Sequence, residues 1–217
     1  MKTKLCIFDL DGTLLNTLDD IGNSMTRVLA ANGFAPLSMQ EYMASVGHGA
    51  RNLLLSVLPP GHGLSEGRIE EMLAAFRAEY SAHSMDLTRP YDGIPELLKY
   101  LKDNGVKLAV VSNKQHNTTA ALLNAYFGDV AFDAVFGEQP GRPIKPDPAS
   151  AFDILALTGV PPEQAVVIGD ADTDIIFAKN ASLFSIGVLW GFRSREVLEA
   201  CGADVIVDSP EQVKEYL

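Results

Sequence analysis

The stretch Asp9-Leu10-Asp11-Gly12-Thr13 sets two carboxylates two residues apart, directly after the apolar run of residues 4–8 (KLCIF). Side chains at i and i+2 leave a strand on the same side, so the two acids face one another. Their repulsion is tolerable with a cation or a shared proton between them; otherwise they are two solvated loop aspartates. An EF-hand loop is a poor alternative, because the third acidic ligand and the glycine are missing from their offsets. Three further groups also follow apolar runs. Val110-Val111 leads into Ser112 and Asn113, Ile144 into Lys145 and Pro146, and Val167-Ile168-Gly169 into Asp170, Asp172 and Asp174. Each has an ordinary structural reading, with Ser112 as a helix cap, Lys145 as a loop lysine, and Asp172 and Asp174 as first-turn charges. What is not ordinary is their common position after apolar strands, in an order that brings all of them to one edge of one sheet.

The elements that must carry these residues fall into two regimes. Residues 18–32 predict a helix with Asp19 and Asp20 in its first turn and Gly33 past its end. Ser38 with Glu41 makes a capping-box pattern for a second helix, which Gly47-His48-Gly49 breaks. Residues 51–58 and 65–82 read as two more helices, separated by Pro59-Pro60-Gly61-His62-Gly63. No strand is expected between residues 17 and 84. After Arg89-Pro90, helices at 94–104, 118–126, 148–158, 173–181, 194–200 and 210–216 alternate with strands at 107–111, 134–136, 165–168, 184–188 and 204–207. Such alternation implies a parallel sheet covered on both faces. A helical insertion after the first strand would sit above the C-terminal ends of the strands, where open parallel sheets bind ligands.

Composition bounds the function. The 217 residues are 47% hydrophobic and 21% charged, an ordinary globular balance, long enough for one core and a smaller accessory unit. A net charge of −11 argues against general nucleic-acid or anionic-membrane binding, which requires an excess of Lys and Arg. Any anionic substrate must therefore meet a local positive site. No basic segment leads into an apolar signal stretch, and no run approaches the roughly 20 apolar residues of a membrane span, so a cytoplasmic location is expected. Cys6 and Cys201 stand in no metal-like or redox-like spacing and read as packing residues.

Together, residues 9–14 (DLDGTL), Val111-Ser112, Lys145-Pro146 and residues 169–174 (GDADTD) resemble the four motifs of the haloacid dehalogenase superfamily. The resemblance spans nearly the whole chain, and residues 144–148 and 190–194 (WGFRS) look like those of its phosphoglycolate phosphatase-like members. It implies an α/β fold, a Rossmann-like parallel sheet core of residues 1–16 and 85–217, with a helical cap domain of residues 17–84 inserted after the first strand. It also implies a Mg²⁺-dependent phosphatase acting on a small phosphorylated molecule through an aspartyl phosphate. In those roles Asp9 is the nucleophile and Asp11 the acid and then the base. The carboxylates of Asp9 and Asp170 and the main-chain carbonyl of Asp11 would hold Mg²⁺, Asp174 would position its waters, and Ser112, Asn113 and Lys145 would bind the phosphate. Ala171 departs from the Ser or Thr often found there, and Asp172 reads as a helix-start charge rather than a metal partner.

Within the cap, Gly47-His48-Gly49-Ala50-Arg51 resembles the family's specificity loop, with His48 and Arg51 as candidate substrate contacts and Arg51 as a clamp for a second anionic group. The alternative is two surface residues at a helix junction. His62, His83 and His116 read as exposed loop residues, and Trp190 and Phe192 as packing aromatics. A phosphosugar mutase of the β-phosphoglucomutase kind is the rival enzyme, because it uses the same aspartate pair. A non-catalytic phosphate-binding scaffold is the rival of another class, and the intact set of candidate residues weighs against it. A dehalogenase would lack Asp11, and a phosphonatase would need a cap lysine, which residues 17–84 do not contain.

Overall fold

The computed structural model describes residues 3–217. In chain order its strands are β1 (Leu5–Phe8), β2 (Leu15–Asn16), β3 (Arg89–Pro90), β4 (Lys107–Gln115), β5 (Ala134–Glu138), β6 (Ala165–Gly169), β7 (Phe184–Val188) and β8 (Val205–Val207). Its α-helices are α1 (Leu18–Ala31), α2 (Met39–Ser45), α3 (Ala50–Val57), α4 (Glu66–His83), α5 (Ile94–Asp103), α6 (His116–Phe127), α7 (Ala149–Thr158), α8 (Asp172–Asn180), α9 (Arg195–Cys201) and α10 (Pro210–Val213). Six strands form one parallel sheet in the order β5-β4-β1-β6-β7-β8. β1 therefore lies in the middle, flanked by β4 and β6, with Phe8, Val110 and Ile168 side by side, and β4 runs on to Gln115.

The continuous apolar runs of the central strands follow from burial on both faces. Cys6 and Phe8 of β1, Leu108 and Val110 of β4, and Val166 and Ile168 of β6 pack on one side with α5 and α6. Their neighbours Leu5, Ile7, Ala109, Val111 and Val167 pack on the other with α7 and α8. Alternation with a period of two thus splits each strand between two cores, each fully buried side chain contributing about 1.5–3 kcal/mol. Cys6 is wholly buried among them, which raises its thiol pKa.

Helices α1–α4 form a separate layer with its own apolar cluster, including Met25, Leu29, Tyr42, Leu54, Met72 and Phe76. The expected capping box at α2 is present: Ser38 Oγ accepts from the Glu41 N–H, and the Ser38 N–H donates to Glu41 Oε2 at 2.8 Å. As expected, no strand lies between Thr17 and Ser84. The two-stranded antiparallel ribbon β2-β3, which pairs Leu15 with Pro90 and Asn16 with Arg89, was not expected. At two residues each, its strands are too short to leave a period-two signature. The ribbon brings the chain's exit into the helical layer next to its return. Asp20, read from sequence as a first-turn charge, ties the return further: its buried carboxylate accepts from the N–H groups of Leu87 and Thr88 at 2.8–3.1 Å. The C-terminal segment read as one helix to residue 216 is α10 followed by a 3₁₀ turn, Lys214–Tyr216.

Candidate active site

Asp9 follows β1, Ser112 lies near the end of β4, and Asp170 follows β6, so three adjacent strands deliver them to one edge. Lys145 arrives from the β5–α7 connection, and Asp174 from the first turn of α8. The acids and the lysine are buried. Lys145 Nζ lies 2.8 Å from Asp9 Oδ1 and 2.6 Å from Asp174 Oδ1. The Leu10 N–H also donates to Asp9 Oδ1, at 2.6 Å. One Asp9 oxygen is therefore fixed twice, while Oδ2 accepts no hydrogen bond from the described residues.

Asp170 is held on both oxygens: Thr13 Oγ1 donates to one at 2.9 Å and the Phe192 N–H to the other at 2.8 Å. Gly12 and Gly191 make that approach possible, because a Cβ at either would run into the Asp170 carboxylate. Gly12 also has φ +83°, a backbone region that favours glycine. Asp174 Oδ2 accepts from the Ala171 N–H at 3.0 Å, so the residue at position 171 contributes its main chain to half a capping box. Both Asp174 oxygens are thereby engaged, one by Lys145 and one by this N–H.

Carboxylate oxygens of Asp9, Asp170 and Asp174 lie within 4.8 Å of one another. Burial drives the Asp9 carboxyl well above the usual carboxylate range, Lys145 opposes this, and Asp174, Asp170 and Asp11 add to it. Burial and then the Asp174 charge push Asp170 up to about 7, against the opposing pull of the Phe192 N–H, the Thr13 hydroxyl and Arg193. Burial works against the Lys145 charge, yet Asp174 and Asp9 more than offset it and its pKa rises. One lysine against three buried acids leaves the cluster under-compensated. An all-oxygen donor set short of positive charge fits a hard divalent cation.

Asp11 stands apart from that cluster. Thr17 Oγ1 donates to its Oδ1 at 2.7 Å, and Lys114 Nζ lies 3.0 Å from its Oδ2. Asp9, Asp11 and Ser112 open into a cavity between the sheet edge and the helical layer, which contributes Ile21, Leu53, Phe76, Arg77 and Tyr80. The two acids of the first motif are thus brought to one cavity with different partners.

Three expected substrate contacts are placed otherwise. Asn113 spends both amide donors on main-chain carbonyls, Gly47 at 2.9 Å and Lys145 at 3.0 Å, and its oxygen accepts from the Lys145 N–H. Its side chain thus joins the helical layer to the lysine loop and has no donor left for phosphate, although the residue lines the cavity. Arg51 is half exposed and paired with Glu66 and Glu70 of α4, away from the cavity wall. The glycines before it turn its helix so that Ala50 and Leu53 face the cavity instead. His48 borders a different groove with Pro146 and Asn180 and lies 3.6 Å from Asp172, which is outside the acid cluster.

The other histidines have local partners at helix ends and turns rather than free loop positions. His62 Nδ1 accepts from the Leu64 N–H, His83 lies 2.8 Å from Asp86, and His116 accepts from the Gly137 N–H. Trp190 packs on the sheet core and donates from Nε1 to the Thr13 carbonyl at 2.9 Å. Sequence reasoning missed Lys114, Arg77 and Tyr80 as cavity residues. It also missed Arg193, which donates to the carbonyls of Met43 and Val46 at 2.8 and 2.5 Å and so fastens the helical layer to the sheet edge. Lys114 alone carried a signal, standing two residues after Ser112 on the same strand.

Residues 6–188 match the family described as haloacid dehalogenase-like hydrolase. Phosphoglycolate phosphatase 1 of Pseudomonas aeruginosa is 31% identical over 209 residues, covering 95% of this chain and 76% of that protein. Phosphoglycolate phosphatase of Caulobacter vibrioides is 34% identical over 203 residues, covering 93% and 85%. The crystal structure of a predicted phosphoglycolate phosphatase from Haemophilus somnus 129pt superposes with a TM-score of 0.92 at 28% identity, covering 100% of this chain and 98% of that one.

Proposed function

The chain belongs to the haloacid dehalogenase-like hydrolases and is a phosphoric monoester hydrolase, and on that premise we propose that it hydrolyses a small phosphomonoester of phosphoglycolate size through phosphorylated Asp9. The observation that carries this reading is the asymmetry of Asp9: Lys145 and the Leu10 N–H hold Oδ1, and Oδ2 is left without a partner among the described residues. Oδ2 forms a bond to phosphorus as the bond from phosphorus to the alcohol oxygen breaks. Asp11 gives its proton to that departing oxygen, then takes one from the water that attacks phosphorus and breaks the bond to Asp9. Inorganic phosphate leaves, and both carboxyl groups return to their starting states.

Ser112 and Lys145 hold the phosphoryl oxygens, and Lys145 keeps Asp9 oriented meanwhile. Mg²⁺ is the cation proposed for the acid cluster, where it would neutralise charge between the carboxylates and the phosphoryl group. Asp9 and Asp170 would hold it with the Asp11 carbonyl. Asp174, already engaged by Lys145 and the Ala171 N–H, suits a role in orienting bound water. The names of the relatives make phosphoglycolate the first ester to assay.

Asp9→Asn removes the nucleophile and lowers charge repulsion, so it abolishes turnover on a phosphomonoester panel while the thermal unfolding curve is kept. A chelator stops the wild-type enzyme, and Mg²⁺ restores it. Substantial hydrolysis by Asp9→Asn would sink the covalent mechanism; full activity in excess chelator would sink the metal.

A further inference from the structure

We propose that Lys114 and Tyr80 together bind a carboxylate on the leaving group, and so make carboxylate-bearing phosphomonoesters the preferred substrates of the cavity. The proposal rests on the phosphatase reading above and specifies its substrate class. Two cations stand in the described cavity wall, Lys114 and Arg77. Arg77 is spent on Glu138, which is not a wall residue, with Nη2 donating to Oε1 at 2.8 Å. Lys114 is placed differently. Its ammonium lies between the polar ends of two other wall residues, 3.0 Å from Asp11 Oδ2 and 2.8 Å from the Tyr80 hydroxyl. It is also 4.2 Å from the centre of the Tyr80 ring. The Lys114 and Asp11 side chains keep 6% and 13% of their surface exposed, so neither is sealed off.

An ammonium has three donors and a phenol has one. Lys114 gives one to Tyr80 and faces Asp11 with another, and the third has no acceptor among the described residues. The Tyr80 hydroxyl accepts from Lys114, and its own O–H has no acceptor among the described residues either. Burial, followed by the nearby Asp11, Asp20 and Tyr126, holds Tyr80 well above the usual phenol range, so that proton stays in place. An ammonium from the sheet layer and a hydroxyl from the helical layer, 2.8 Å apart, can thus both donate to one carboxylate, and the ammonium supplies the charge. Asp11 must come within about 2.6–3.2 Å of the ester oxygen that it protonates. Lys114 lies just beyond that carboxyl group, so the leaving-group atoms that fall to it are those next to the ester carbon. Asp11 enters that step carrying its proton, so it does not then compete for the ammonium. The remote-anion contact sought at Arg51 passes to this pair.

The test compares three esters on the Mg²⁺-loaded enzyme, alike in length and different at the end of the leaving group: phosphoglycolate, 2-hydroxyethyl phosphate and ethyl phosphate. Phosphoglycolate is expected to exceed ethyl phosphate in kcat/KM by at least about 10-fold, with 2-hydroxyethyl phosphate between them. Lys114→Met lowers the ratio of phosphoglycolate to ethyl phosphate by at least about 10-fold. Tyr80→Phe keeps the ring and its stacking on Phe76 and lowers the same ratio by about 3–10-fold. Loss of the Asp11 partner by itself would slow ethyl phosphate most, because ethanol is the poorest leaving group of the three, so it cannot lower that ratio. If Lys114→Met does not fold, Tyr80→Phe decides. Ethyl phosphate as good a wild-type substrate as phosphoglycolate, or a ratio that neither variant moves, overturns the proposal. So does failure on all three esters while 4-nitrophenyl phosphate is still hydrolysed in an Asp9-dependent way. Failure on that ester too brings down the phosphatase reading itself.

Discussion

Arg51 and Arg77 show how much a side chain's partners matter beyond its type. Both are arginines of the helical layer, and the glycines before Arg51 made it the more legible candidate. The structure gives Arg51 two exposed glutamates on its own layer and gives Arg77 a place in the cavity wall, paired with Glu138 of the sheet. Sequence could not reveal this, because the face that a short helix turns to the cavity depends on packing between layers. Arg51→Ala is expected to change kcat/KM by no more than about twofold on any phosphomonoester, since exposed ion pairs contribute little. A large loss confined to carboxylate-bearing esters would return Arg51 to the substrate site. Asp9, Asp11, Ser112, Asp170 and Asp174 were legible as neighbours of one sheet edge because each follows or stands late in an apolar strand or starts the helix after one, whereas Lys145 comes from the β5–α7 connection and was legible through the family resemblance. Asn113 was legible as a neighbour of the site, yet its amide is consumed by the Gly47 and Lys145 carbonyls, a pairing across 66 and 32 residues that no local pattern encodes.

At the scale of elements, local chemistry was read well wherever it was self-contained. The Ser38–Glu41 capping box and the glycine after α7, which takes φ +66°, mark helix ends as expected. What escaped was each tie between elements distant in sequence, and Asp20 is the strongest of these. Its carboxylate takes up the N–H groups of Leu87 and Thr88, which otherwise lack partners where the chain re-enters the sheet layer. Asp20→Ala should lower unfolding free energy by about 2–4 kcal/mol, the cost of leaving buried donors unmade, measured by urea denaturation. Asp20→Asn keeps an acceptor and should lose less. An alanine variant as stable as the wild type would show that water replaces the carboxylate without loss.

Over the whole molecule, the alternation of helices and apolar strands was enough to fix a parallel sheet, and strand order then placed three chemistry-bearing strand ends side by side. The cavity was not legible, because it is made between two layers whose contact surfaces come from unconnected parts of the chain. Charge acts at this scale as well. With 28 acidic against 17 basic residues, the surface as a whole attracts divalent cations and repels phosphorylated substrates. Raising ionic strength from about 10 mM to about 0.15 M shrinks the Debye length from about 30 Å to about 8 Å. The Mg²⁺ concentration for half-maximal activity should therefore rise, and KM for a phosphomonoester at saturating Mg²⁺ should fall. Titrations at several KCl concentrations check both signs, and opposite trends would mean that local pairs outweigh the overall field.

The ribbon of β2 and β3 has a consequence for how such a chain can change over generations. It holds the departure and the return of the chain side by side, at Asn16 and Arg89, with paired strands about 4.8 Å apart. Everything between those two points is a detour that begins and ends in the same place. A lineage can lengthen, shorten or replace the detour without altering the span that the sheet layer must bridge. Selection for a new leaving group can then act on residues 17–88 while the strand ends keep their places, so the proposed chemistry and the choice of substrate can change separately.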